Sequence, residues 1–215
     1  MLTVFKWCAV MGYMTIFSAF SSHSDSFNEL SVLINDRLSY MKDIAAFKAE
    51  KHLATEDPEQ EKFVFEQASG RAKTVGLDET SVRFFISAQI NAAKAIQYRY
   101  RADWLSAPEI AWQPRNLAIL RPQIARLNDE ILTKLHALLI CGVVIDDRLY
   151  SQFRTIVDPP HLTDQDKKQL FMALEAVKLS ASDPLPDRQK IPVQRCFPAV
   201  GSGLPVVFPA HHGGQ

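Results

Sequence analysis

Residues 27–61 read FNELSVLINDRLSYMKDIAAFKAEKHLATEDPEQE. From Phe27 to Lys51 there is neither Pro nor Gly, and the apolar residues recur every three or four positions, so the stretch predicts one long helix. At about 100° per residue with Leu30 at zero, Ile34, Leu38, Met41, Ile44 and Ala45 fall within roughly 80° and form a buried face. Arg37 then lies near −20° and Lys48 near 0°, both inside the apolar stripe. Their spacing of 11 residues places the two cations on one face, roughly 16 Å apart along the axis. Inward cations are costly unless something anionic or strongly hydrogen bonding meets them. Ion pairing in the core or snorkelling at the stripe edge would serve a single cation, but two on one stripe raise the alternative of a ligand.

The rest of the chain extends this helical pattern. Asp57 suits an N-cap, Pro58 the first helical position, and Gln60 a capping box, opening a second helix that runs to about Lys73, tolerates Gly70 and stops at Gly76. Asp78 opens a third, continuing to about Trp104. A loop with two prolines, SAPEIAWQPRN, leads to a fourth, roughly Leu117 to Ile140, where Pro122 either kinks the first turns or marks the regular start. Thr163 with Asp166 caps a fifth, Asp164 to about Leu179. After Ser182 the Pro- and Gly-rich tail is irregular in expectation. The chain has 215 residues, 24 Lys+Arg, 24 Asp+Glu, 47% hydrophobic residues and only 8 Gly. Zero net charge argues against nucleic acid or an anionic membrane as partner, and the apolar share excludes a disordered chain. An all-α helical bundle with a long first helix follows.

The amino terminus bears on the compartment. MLTVFKWCAVMGYMTIFSAF has one charge, Lys6, and an apolar run from Trp7 to Phe20. That run is shorter than the roughly 20 residues that span a bilayer, and small residues at Ala19 and Ser21 suit cleavage after Ser21. The expected division is a signal peptide at 1–21, a helical domain at 22–180 and a tail at 181–215, with no membrane segment in the mature chain. Loss of Cys8 with the signal leaves Cys141 and Cys196. The pair reads either as a disulfide, closing a loop of about 55 residues worth roughly 4 kcal/mol, or as two buried thiols. The six histidines show no metal-ligand spacing, and no phosphate-cradling Gly loop or Ser-His-Asp pattern is present.

Further polar groups sit on apolar stripes. With Val82 at zero, Phe85, Ile86, Ile90, Ile96, Tyr100 and Trp104 make the buried face of the third helix, and Gln89, Ala93 and Gln97 lie among them. A buried Gln needs partners for its amide, and a helix–helix hydrogen bond would supply them. Arg121 lies about 40° from Leu117, on the side of Ile124, Ile131 and Leu135. Arg37, Lys48, Gln97 and Arg121 are therefore expected to converge between helices, the usual place for a site in a bundle. Three cations without an evident inward acid suit a small ligand carrying more than one carboxylate. Asp57 and Glu61, one turn apart, could accept from a ligand hydroxyl, or serve only as an N-cap and a surface carboxylate.

The segment RLSYMKDIAAFKAEKHLATEDPEQE, Gln97 in AAKAIQYRYRADW, and Arg121 before QIARLNDEIL together resemble the all-helical chorismate mutases. The closer resemblance is to their exported (gamma) subclass, which carries a signal peptide, a longer chain and a carboxy-terminal disulfide. It covers about Leu30 to Ile140. It implies that Arg37 and Arg121 hold the two carboxylates of chorismate, that Lys48 and Gln97 donate to the ether oxygen, and that Asp57 and Glu61 lie near the ring hydroxyl. It also implies a Cys141–Cys196 disulfide, a periplasmic or secreted location, a homodimer, and no cofactor or metal. Gln60 stands where the family commonly has Arg, and Ala93 where it often has Ser or Thr. A cation-lined pocket of this kind would also suit an isochorismate pyruvate lyase, and the two departures would suit a non-enzymatic exported binding module.

Overall fold

The structure is a computed structural model and describes residues 17–109 and 111–181, with side chains from residue 25 onward. Among the described residues there are seven helices and no strand: α1 (Phe17–Ser39), α2 (Met41–Glu50), α3 (Pro58–Val75), α4 (Glu79–Ser106), α5 (Leu117–Ile140), α6 (Asp147–Ile156) and α7 (Asp164–Glu175). Most of the proposed leader, residues 1–16, and the tail with Cys196 lie outside the described residues. Cleavage after Ser21 would fall within the first turns of α1.

The predicted long first helix is interrupted at Tyr40, so Arg37 and Lys48 stand on two consecutive helices. Ser39 Oγ donates to the Asn35 carbonyl at 2.8 Å in the last turn before the break. Tyr40 keeps near-helical dihedrals (φ −72°, ψ −10°), so the apolar stripe carries on across the break. Leu30, Ile34, Leu38, Met41 and Ala45 are all buried.

The caps set the remaining elements. Asp57 Oδ1 accepts from Gln60 N at 3.2 Å and Pro58 occupies the first turn of α3. That is the first half of the expected capping box; the Gln60 side chain lines a pocket instead. At the other end Gly76 takes φ 82°, Leu77 N bonds to the Ala72 carbonyl and Gly76 N to that of Lys73. This is a Schellman ending, and its left-handed residue favours Gly. Asp78 caps α4 through Ser81 N at 2.8 Å, and Asn116 caps α5 through Ala118 N at 2.8 Å. Helix α5 runs through Pro122 without interruption from Leu117. The carbonyl that proline orphans, four residues back, is that of exposed Ala118, where water can satisfy it.

Two expectations need correction towards the carboxy terminus. Helix α6 is absent from the sequence expectation: it is only ten residues long and buries only Phe153 fully, although Leu149, Tyr150, Phe153 and Ile156 do recur at helical spacing. Asp146 caps it by accepting from Arg148 N. Helix α7 has the expected Thr163–Asp166 capping box but ends at Glu175 rather than near Leu179. Leu179 instead pairs in an isolated antiparallel bridge with Leu77, while Asp78 N and Ser180 N bond to the Lys178 and Gly76 carbonyls at 2.9 Å. Extended pairing onto the α3–α4 turn outcompetes another helical turn.

Helix α4 is the spine, packing against α2, α3 and α7, while α1 lies on α5 and α6. Phe27, Phe85, Phe153 and Phe171 are fully buried between these layers, and the rings of Phe153 and Phe171 meet at 5.2 Å. Buried Asp43 on α2 accepts from Trp112 Nε1 at 3.1 Å and Arg115 Nε at 2.6 Å. Those bonds pin the α4–α5 loop and fix where α5 begins. Cys141 caps the end of α5.

Candidate active site

Helices α1–α5 enclose a cavity of about 420 Å³, in the usual range of roughly 300–1,000 Å³ for small-ligand sites. Arg37, Lys48, Asp57, Glu61, Gln97 and Arg121 all line it, so the structure brings together every residue the sequence proposed for the site. Its walls are otherwise largely apolar, with Met41, Ile44, Val64, Ile90, Leu117 and Ile124.

Arg37 is 3% exposed. Its Nε donates to Asn128 Oδ1 at 2.7 Å, and its Nη1 lies 3.5 Å from the Gln89 carbonyl. Neither acceptor carries charge. Burial pushes the guanidinium down to about 10, a shift that no neighbouring charge offsets. Lys48, 6% exposed, donates from Nζ to the Thr55 carbonyl at 2.6 Å. Burial lowers its ammonium from the ordinary lysine range, Asp57 partly opposes this, and Arg121 adds to it. Both cations are thus held by neutral acceptors in a poorly solvated pocket, where their charge is weakly screened.

Gln97 is buried, and its Nε2 donates to the Ala93 carbonyl at 3.2 Å and faces Met41 Sδ at 3.5 Å. The expected amide partnership across helices is therefore only this weak thioether contact, and the Oε1 has no partner. One N–H fixes the amide on its own helix, and the other can move from sulfur to a better acceptor in the pocket. Gln89 departs further: its side-chain oxygen and nitrogen are both buried without a partner, while its backbone carbonyl serves Arg37.

Arg121 is not on a buried face as its helical angle suggested. It stands at the pocket mouth, its side chain 42% exposed, in an ion pair with Asp57 Oδ2 at 2.6 Å. It lies in the second turn of α5 at the edge of the buried stripe, where Leu117 and Leu120 are buried while Arg121 borders the cavity. Asp57 therefore does two things, capping α3 with one oxygen and holding Arg121 with the other. The expectation of no inward acid is likewise corrected: Asp57, Glu61 and Asp129 all line the cavity. Glu61 pairs at 3.2 Å with Lys94, a fourth cation that periodicity missed because it sits about 120° from Val82 on α4. Of the four pocket cations, only Arg37 and Lys48 lack an ion-pair partner among the described residues. Asn128 and Thr55 were also missed. Asn128 had a readable signal, lying about 20° from Leu117 in the middle of the buried stripe of α5. Thr55 lies between helices, where spacing says nothing.

The arrangement has a definite chemical capacity. It can hold a small polyanion by its carboxylates at Arg37 and Arg121, and it can set Lys48 and Gln97 against an oxygen that gains negative charge. Comparison with known proteins agrees. The chorismate mutase type II family matches over residues 28–98. A secreted chorismate mutase of Yersinia pestis is 40% identical over 174 residues, 79% of this chain and 94% of that protein. A monofunctional chorismate mutase of Enterobacter agglomerans is 38% identical over 159 residues, 74% of this chain and 87% of that protein. The crystal structure of the Yersinia pestis secreted enzyme superposes with a TM-score of 0.64 at 41% identity, over 71% of this chain and 98% of that one. A Burkholderia thailandensis chorismate mutase shares the fold with a TM-score of 0.58 at 23% identity, over 70% and 98% of the two chains. With the pocket, the fold and relatives aligned along most of its length in agreement, this chain belongs to the chorismate mutase type II family.

Proposed function

We infer that the pocket converts chorismate to prephenate, an isomerisation within one molecule. The observation that carries the reading is the pair Arg37 and Lys48, buried cations held only by neutral acceptors against one cavity. The reaction is a pericyclic shift in which the ether C–O bond breaks as a C–C bond forms. No proton or electron is exchanged with the protein. Catalysis then rests on selecting a folded substrate conformation and on charge complementarity to the breaking ether.

In this reading Arg37 takes one carboxylate deep in the pocket, and Arg121 takes the other at the mouth. Asp57 and Glu61 are available to the ring hydroxyl. Lys48 and the movable N–H of Gln97 meet the ether oxygen. Donors already oriented in a low-dielectric site stabilise developing negative charge without reorganising. Incubation of the purified protein with chorismate and, separately, isochorismate tests the reading: prephenate from the first is expected, and pyruvate from the second with no prephenate would replace it.

The pH profile follows from the same residues. Gln97 donates whatever the pH, so turnover is expected to stay nearly level between pH 5 and 7. Lys48 must be an ammonium to act, and burial lowers its proton affinity. Activity is therefore lost as pH rises, with a midpoint below the 10.5 of an ordinary lysine. A collapse between pH 5 and 7 with an unchanged circular dichroism spectrum would overturn this assignment.

We also propose export, with cleavage after Ser21 and a Cys141–Cys196 disulfide. Supporting this are the short apolar leader, the two cysteines left after its removal and the secreted relative. Intact-mass measurement of the protein recovered from periplasm and medium reads location, cleavage and bond together. The subunit pairing implied by the family resemblance is a proposal that light scattering decides.

A further inference from the structure

We propose that Asn128 is a positioning residue whose neutrality matters: it aims the Arg37 guanidinium while leaving its charge for the substrate. The inference rests on the reading of Arg37 as a carboxylate holder. Asn128 is 8% exposed, lines the cavity on α5, and receives Arg37 Nε at 2.7 Å. It stands seven residues after Arg121, so one face of α5 presents Arg121 at the mouth and Asn128 in the interior, roughly 10 Å apart along the axis. Helix α5 thus supplies one carboxylate holder and orients the other. The bond joins two helices that are distant in sequence and already packed together, with the Lys134–Glu29 ion pair between them as well.

The chemistry of the acceptor is informative. A buried arginine is ordinarily met by a carboxylate, whose charge offsets the desolvation of the cation. An Asp differs from Asn128 by one atom and would make a stronger, charge-assisted bond to the same Nε. It would also neutralise Arg37 and put a negative charge into a pocket that must accept a dicarboxylate. The amide gives geometry without neutralisation. The cost of that choice is visible in Arg37, whose proton affinity is lowered by burial with no countercharge.

The test compares Asn128→Asp, Asn128→Ser and Asn128→Ala for kcat, KM, prephenate affinity by calorimetry, and melting temperature. If Asn128 only braced the fold, the stronger acceptor would serve best, and Asn128→Asp would match or exceed Asn128→Ala in activity. Neutral positioning requires the reverse order. Asn128→Asp is expected to raise KM roughly 10- to 100-fold, with kcat less affected and a melting temperature no lower than wild type. Asn128→Ser, a shorter neutral acceptor, should lie between wild type and Asn128→Ala. Wild-type KM in Asn128→Asp, or Asn128→Ser no better than Asn128→Ala, overturns the proposal. Should Asn128→Asp fail to fold, the Ser-against-Ala order decides. Prephenate affinity reports on the dicarboxylate site even without turnover, so failure of the catalytic reading and failure of this inference are told apart.

Discussion

Lys48→Ala is expected to lower kcat with chorismate by about 10³-fold, equivalent to roughly 4 kcal/mol of lost transition-state stabilisation. The ammonium is held by one short bond to the Thr55 carbonyl, leaving donors for an incoming oxygen. Its attraction for the ether oxygen grows as that oxygen becomes negative, so the loss should fall on kcat more than on KM. Folding should survive, because Ala at position 48 removes a buried charge and leaves one carbonyl to find water from the cavity. Near-wild-type turnover in this variant would refute the role assigned to Lys48 at the ether oxygen.

Arg37→Met is expected to cost a comparable factor in kcat/KM, about 10²- to 10³-fold, now mainly through KM. Its effect on stability separates function from structure. The lowered proton affinity of Arg37 means that the folded protein disfavours its charged form. For a basic group depressed in this way, the penalty is present at all pH values below its folded midpoint near 10 and is relieved only as pH rises through it. Methionine removes that penalty at neutral pH and fills similar volume, although it leaves the acceptors Asn128 Oδ1 and the Gln89 carbonyl to be satisfied otherwise. The two effects oppose, and a melting temperature within about 5 °C of wild type is expected. A deep loss of stability with activity retained would identify Arg37 as structural.

What could be read from the sequence follows the range of helical periodicity. The stripe through Leu30, Ile34, Leu38, Met41 and Ala45 is a property of local helical geometry, so it yielded both the burial of Arg37 and Lys48 and their common direction. The Asp57-Pro58, Asp78 and Thr163 caps are equally local, and they were legible for the same reason. The break at Tyr40 was not, since no Pro or Gly marks it and the apolar stripe continues across it. Arg121 shows a different limit. Its angle on α5 was correct, but angle alone cannot say whether a side chain at the edge of a stripe meets a neighbouring helix or an open cavity. The Lys94–Glu61 pair and the Thr55 carbonyl arise from separate elements meeting in space, for which a single helix carries no signal. Asn128 lay within reach of the method and differs in being uncharged, so a search for inward cations passed over it.

The six residues proposed to meet chorismate, from Arg37 on α1 to Arg121 on α5, line one cavity within a single chain. On that assignment the set is complete without a second subunit. The specific activity of such a site can persist at extreme dilution, where a shared site would come apart as its halves diffused away. Self-sufficiency of each molecule is the property that lets catalysis outlast dispersal.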